Sequence, residues 1–409
     1  MSTLARQGGM PVRTRPYPAW PVFDELEVQG LHQALEQGIW SSADGPNKQR
    51  FEQSFAAYHQ ARRGIAVNNG TIALELALQA LGVGAGDEVI VPPYTFLATA
   101  TAVLKLNATP IFADIDLATY CIDPGAVEAA ITPRTKAVIC VHLGGHPAAM
   151  HRLLALQQKY GIAIIEDAAH AHGAAWRGQR VGALGNAGAF SFQASKNMTA
   201  GEGGIVLTND DKLADLIVSL HNCGRTAEGE WYEHHNFGGN YRLGEFQSAL
   251  LLAQLTRLEA QTRQREASMA YLDQQLGQIE GIVPVGRTAD CTTHGCHLYL
   301  FRYQAGAFGG PGRDEFVRDL RAEGIPASVG YPIPLYRQPI FAEHRYDQRA
   351  VGFDAANPAT QYGSLQQPNV EQACRETVWF GQNVLLGERG DLDDIVTAVR
   401  KIQQVMRQG

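Results

Sequence analysis

The sequence predicts an α/β chain: a large domain on a mostly parallel sheet, then a smaller α+β C-terminal domain. Three observations carry this. From Gly64 to Thr208, short β-branched runs alternate with helical stretches, the pattern of parallel strands joined by crossover helices. Asn69-Gly-Thr71, Pro93-Tyr-Thr-Phe96, Asp167 and Ser191 each follow an apolar run, and in such sheets ligands gather at the carboxyl ends of the strands. A long helical stretch from Gly244 to Leu276 then ends the alternation, and the domain change is placed within it, dividing the chain into 1–255 and 256–409.

Composition narrows the class. A chain of 409 residues, 45% hydrophobic and 18% charged, can bury a large core as a soluble globular protein. A net charge of −7, with no helix-turn-helix or zinc-finger spacing, speaks against nucleic acid or an anionic membrane as the main partner. The six cysteines are scattered, as in reduced cytoplasmic proteins. Residues 1–21 have no apolar signal core, and no apolar run reaches membrane-spanning length. A soluble cytoplasmic protein is the expectation.

In order, prolines at 11, 16, 18 and 21 make residues 1–21 an extended arm. Phe23–Gly38 is an amphipathic helix closed by its glycine, and Phe51, Phe55 and Tyr58 mark a second helix to Ala61. Gly64–Val67 is a strand that turns through Asn69-Gly-Thr71 into a helix over Ile72–Leu81. Strands follow at Glu88–Val91, Pro110–Ala113, Lys136–Val141, Ile162–Glu166, Ala187–Phe192 and Ile205–Thr208, with helices at Phe96–Leu106, Ala148–Tyr160 and Asp210–Leu220. His221–Arg242 is a polar, aromatic loop region. Beyond the long helix come a strand at Cys296–Tyr303, a helix at Asp314–Glu323 and a last amphipathic helix at Asp391–Gln408.

Lys196 is the centre of the chemistry. It lies in a run of small and polar residues between two apolar strands, where an amine costs free energy unless it is paired or used. It reads either as a surface-loop lysine or as an amine that condenses with a carbonyl cofactor. The join at Gly70 and Thr71 can cradle a phosphate at a helix N-terminus, or it is ordinary helix capping. Asp167 can hold a cationic ring N–H or cap the next segment, and Phe96 can stack on a planar ring or pack in the core. His170 and His172 lack further ligands at metal spacing, and Cys291-Thr-Thr-His-Gly-Cys-His297 matches no standard zinc module, so no metal is expected. Together, a phosphate turn, a stacking aromatic, a strand-end Asp and a later Lys describe a pyridoxal-phosphate site.

On these motifs, with Val89-Ile-Val-Pro-Pro-Tyr-Thr-Phe96, Glu166-Asp-Ala-Ala-His-Ala-His-Gly173, Ser191-Phe-Gln-Ala-Ser-Lys196, Gly201-Glu-Gly-Gly204 and Asn240-Tyr-Arg242, the chain resembles the DegT/DnrJ/EryC1/StrS aminotransferases from Trp40 to its last helix. The resemblance implies the aspartate-aminotransferase-like fold (fold type I) and pyridoxal 5'-phosphate as cofactor. It implies Lys196 as the Schiff-base lysine, Asp167 as partner of the ring nitrogen, Phe96 as the stacking residue and His170 as a cofactor contact. Gly70, Thr71 and Ser191 would hold the phosphate, and Asn240 would reach the phosphate of a neighbouring subunit, which implies a homodimer with shared sites. The implied reaction moves an amino group from glutamate or glutamine to a ketone of a sugar nucleotide or cyclitol, the cyclitol-type members being the most similar. A dehydratase or aromatising synthase of the aminohydroxybenzoate type, and a non-catalytic sensor on the same fold, are the alternatives. Gly238-Gly-Asn-Tyr-Arg242 departs from the family's commoner Gly-Tyr-Asn-Tyr-Arg. Substrate choice is expected in loops 221–240 and 328–337, with Arg225, Arg242 and Arg337 as candidate cations for a nucleotide.

Overall fold

In the computed structural model, which describes residues 3–41, 45–351 and 356–407, the apolar runs of the first half form one seven-stranded sheet. Its strands are β1 (Arg63–Val67), β2 (Glu88–Val91), β3 (Thr109–Phe112), β4 (Thr135–Val141), β5 (Ala163–Asp167), β6 (Ala187–Ser191) and β7 (Gly204–Thr208). The spatial order is β1-β7-β6-β5-β4-β2-β3. Pairs β2/β3, β2/β4, β4/β5 and β5/β6 are parallel, whereas β7 runs antiparallel to both β6 and β1. Only β7 is reversed, so β1, β2, β5 and β6 all end on one edge and β7 begins there.

Both faces of this sheet are covered, as a parallel sheet requires. Alternate strand residues enter different cores: Val89 and Val91 join one with Ile65 and Val67, and Ile90 joins the other with Ala66. The first face carries the helices Gly70–Ala80, Ala98–Lys105 and Asp211–His221, and the second carries Pro46–Tyr58 and Met150–Tyr160. The long helix Glu245–Leu276 leads out of this layer into the C-terminal part. There an antiparallel sheet of Ile282–Pro284, Leu298–Tyr303 and Thr377–Gly381 packs with helices Arg313–Ala322 and Arg389–Met406 around a third core. A second small sheet joins Ala175–Trp176, Gln179–Arg180 and Cys291–Thr293.

Several boundaries differ from the predicted ones for local reasons. The first helix spans Glu25–Gln37, set by a capping box between Asp24 and Glu27 and by Gly38 in a left-handed conformation. The second starts at Pro46, where a missing N–H costs a helix nothing, and ends at Tyr58. The C-terminal strand starts at Leu298, because Cys296 takes a φ of 50° that no strand accepts. Helices Pro124–Ala130 and Pro368–Glu376 were not predicted. Met1 and Ser2 of the arm, and the predicted end of the last helix at Gln408, lie outside the described residues. Among the described residues no helix is long and apolar enough to cross a membrane.

Candidate active site

A cavity of about 1480 Å³ opens on the sheet edge where the strand ends converge. Its walls come from the arm (Arg15 to Trp20), from the sheet edge and from the C-terminal sheet with its loops. Thus Asn69, Gly70, Thr71, Phe96, Asp167, His170, Ser191 and Lys196 face one space.

The floor is built by close approach. Asn69 caps the helix Gly70–Ala80 by accepting the Ile72 N–H at 2.9 Å, and the first-turn N–H groups of Gly70 and Thr71 have no acceptor within the helix. Ser191 ends β6 opposite Gly204, which also faces Val67. A Cβ at Gly70 would stand 2.7 Å from the Ser191 Cβ, and one at Gly204 would stand 2.5 Å from the Asn69 carbonyl carbon. Glycine at both places lets the helix N-terminus settle onto the strand ends, which brings its free N–H groups and the Ser191 hydroxyl together on the cavity wall, a donor set suited to an anion.

Asp167, at the end of β5, is buried. Thr99 Oγ1 donates to its Oδ2 at 2.8 Å and the Ala169 N–H donates to its Oδ1 at 3.2 Å. Thr95 and Thr99 hydroxyls meet at 3.0 Å, which steadies the first of these bonds. Burial raises the carboxyl's pKa, and the two hydrogen bonds and the Lys196 charge oppose that rise. No cation stands within ion-pair distance of Asp167 among the described residues. A ring N–H⁺ would supply that missing partner.

Lys196 sits in the turn after β6, half-buried, with no hydrogen-bond or ion-pair partner for Nζ among the described residues. Burial lowers its pKa to about 8, and the Asp167 charge pulls the other way. An amine near pH 8 is partly neutral under ordinary conditions and is able to act as nucleophile or base. His170 is held neutral by burial and packs against His297, tilted by 36° with 4.2 Å between ring centroids. The Gly144 N–H donates to His170 Nδ1 at 3.3 Å. Phe96 lines the cavity with 63% of its surface exposed, so its ring is available to a planar ligand.

Other residues go elsewhere. Asn240 is exposed, bridges to Asn222 and does not line this cavity. Arg242 donates to Asn222 at 2.7 Å, Arg225 to the Trp231 carbonyl at 3.0 Å, and Arg337 pairs with Glu371 at 2.6 Å. None of these arginines lines the cavity. His294 accepts from the Cys296 N–H at 2.8 Å, and His297 meets Asn197 Oδ1 at 2.9 Å. Among the described residues no His, Cys, Asp and Glu cluster is arranged to hold a metal. Loop 328–337 contributes Tyr331 to the wall and loop 221–240 contributes nothing. Sequence reasoning missed Arg15, Trp20, Trp379, Gln382 and Asn383, which carry no motif.

A family model described as the DegT/DnrJ/EryC1/StrS aminotransferase family matches residues 21–400. An L-glutamine:2-deoxy-scyllo-inosose aminotransferase from Streptomyces paromomycinus is 39% identical over 98% of this chain and 97% of its own. A 3-amino-5-hydroxybenzoate synthase from Amycolatopsis mediterranei is 39% identical over 92% of this chain and 94% of its own. The crystal structure of a 3-amino-5-hydroxybenzoic acid synthase superposes with a TM-score of 0.87 at 37% identity, covering 97% of this chain and all of that one. The α/β layers are therefore those of the type I aminotransferase fold, and the chain belongs to the DegT/DnrJ/EryC1/StrS aminotransferase family.

Proposed function

We propose that this aminotransferase uses pyridoxal 5'-phosphate to take nitrogen from glutamine and place it on a ketone carbon of a cyclitol. The observation that carries the reading is Lys196: an unpaired amine with its pKa brought to about 8, sharing a cavity with a buried carboxylate that lacks a cation. Gly70, Thr71 and Ser191 would hold the phosphate, Asp167 the ring N–H, and Phe96 and His170 the ring faces. Asn240 is assigned to the neighbouring subunit's phosphate in a homodimer, which its exposed position outside its own cavity supports. The division at 255/256 fits a cavity lined from both halves. Six free cysteines support a cytoplasmic location.

When bound, the cofactor offers a carbonyl to amines and a ring that draws electrons from the adjacent carbon. Lys196 Nζ would anchor it and, when free, would take the proton from the donor's α-carbon. In the second half-reaction it returns a proton to the former ketone carbon. Asp167, fixed by Thr99 and Ala169, would hold the ring proton. The arm and the C-terminal sheet enclose these steps and limit water.

The wall's charges favour a cyclitol over a sugar nucleotide. Among the described residues its only Lys or Arg residues are Arg15 and Lys196, and Arg15 is already bound to Asp391 at 2.8 Å. A diphosphate calls for free cations, whereas a neutral polyhydroxy ketone does not. A visible absorption band on adding pyridoxal phosphate, bleached by glutamine more readily than by glutamate, is expected. Borohydride should fix the cofactor to the peptide containing Lys196, and Lys196→Ala should abolish band and turnover. A Lys196→Ala protein with near-normal turnover would sink the reading. Product mass separates the second reading, an aromatising synthase, supported by the synthase relatives: loss of water with the amino transfer would establish it.

A further inference from the structure

Arg265, on the long helix, is completely buried and has no carboxylate partner among the described residues. Its Nε and Nη2 donate to Gln382 Oε1 at 3.1 and 2.6 Å, and Nη2 also reaches Gln261 Oε1 at 3.4 Å. Its Nη1 has no hydrogen-bond partner. The guanidinium carbon lies 5.4 Å from the centre of the Trp20 ring. A buried cation without a counter-anion is costly, and the cost is offset when an anion settles nearby. Burial accordingly lowers the Arg265 pKa to about 10.

Two neighbours of this cation, Trp20 and Gln382, line the active cavity. Trp20 also donates its indole N–H to the Ala194 carbonyl at 2.9 Å, which ties this corner to the turn carrying Lys196. Gln382 is 3% exposed, and its orientation is settled by chemistry. Arginine only donates, so the amide oxygen must face Arg265 and the amide Nε2 must face away. Gln382 Nε2 has no partner within the protein among the described residues and is not sealed off. The result is a pair of N–H donors backed by an uncompensated positive charge. Arg15 is the obvious competitor for an anion, but it is held in a charge-balanced cluster of Arg13, Arg15, Asp391 and Asp394.

We propose that Gln382, its amide oriented by Arg265, receives the α-carboxylate of the amino donor. Arg265 acts through Gln382 as a positioning residue. This rests on the aminotransferase reading of the same cavity and assigns the donor's anionic end to one corner of it.

The test uses full-length protein loaded with pyridoxal phosphate and two amines: glutamine, and 4-aminobutanamide, which is glutamine without its carboxylate. Gln382→Leu should raise the glutamine concentration that half-bleaches the visible band by about tenfold or more, the loss of a charge-assisted contact. The values for 4-aminobutanamide and for the ketone acceptor should stay put. Gln382→Glu should raise the glutamine value at least as far, and Arg265→Lys should give part of the rise with the ketone unaffected. Glutaramate, which keeps the carboxylate but has no amine, should lose affinity in parallel by calorimetry, with no reaction involved. Unchanged glutamine and glutaramate affinities in Gln382→Leu overturn the proposal alone, as does an equal loss for both amines and the ketone. Absence of any band in the unaltered protein overturns the cofactor reading, and this proposal with it.

Discussion

Lys196 and Asp167 place opposite charges in one cavity without forming an ion pair, so each keeps a pKa set mainly by burial. For Lys196 the sign is definite. Its folded pKa of about 8 lies below the ordinary 10.5, so between those values the unfolded chain binds more protons and stability rises with pH. Burial holds the Cys121, Cys140 and Cys296 thiols above their ordinary range, which lowers stability over the same interval, so in denaturant unfolding of cofactor-free protein the rise should appear as a gain of the unaltered chain over Lys196→Met from about pH 8 to 10.5. The rate at which the visible band forms should likewise climb with pH and level off above about 8, as Nζ loses its proton. At Asp167, replacement by Asn preserves shape and the Thr99 contact but removes the charge. Asp167→Asn should keep the band and lower turnover by about 100-fold or more, the scale of losing one electrostatic stabiliser in a closed site. Lys196 and Asp167 were legible in the sequence because each interrupts or ends an apolar run. Gln382 and Trp379 were not, because folding alone brings them from the C-terminal sheet to a site built by residues far earlier in the chain.

At the scale of elements, strands buried on both faces announce themselves as short apolar runs, and all seven strands of the main sheet were legible. Their directions were not. Residue periodicity is the same for either sense, so nothing in Ile205–Thr208 shows that β7 is reversed. That reversal matters, since it brings Gly204 beside both Val67 and Ser191. Pieces of two residues, such as Ala175–Trp176, are too short to carry a pattern. The contact between the helix Gly70–Ala80 and β6 leaves no room for a methyl group. Gly70→Ala must push the helix N-terminus off Ser191, at a cost of about 1–3 kcal/mol in stability. The same shift spreads the N–H groups from the hydroxyl, so cofactor dissociation, followed by loss of the visible band on dilution, should accelerate. An unchanged dissociation rate would mean the phosphate lies elsewhere.

At the scale of the whole molecule, large apolar side chains stand exposed in two stretches of the chain. Trp231, Tyr232 and Phe237 are 78%, 76% and 95% exposed, and the segment that holds them ends at Asn240. The first helix and its flanks add Phe23, Leu26, Val28, Leu35 and Trp40, all exposed. Such clusters mark association surfaces. Sedimentation should therefore give a dimer, and the assignment of Asn240 can be tested through the symmetry of that dimer. Asn240→Ala should weaken the cofactor in every site of its own homodimer, and Lys196→Ala should silence every site of its own. In a mixed dimer, if Asn240 serves its neighbour, the site with an intact Lys196 receives an intact Asn240 from the Lys196→Ala subunit. Unfolding and refolding the two variants together should then restore activity above that of either alone. If Asn240 served its own chain, each mixed dimer would carry one defective site of each kind and mixing would restore nothing.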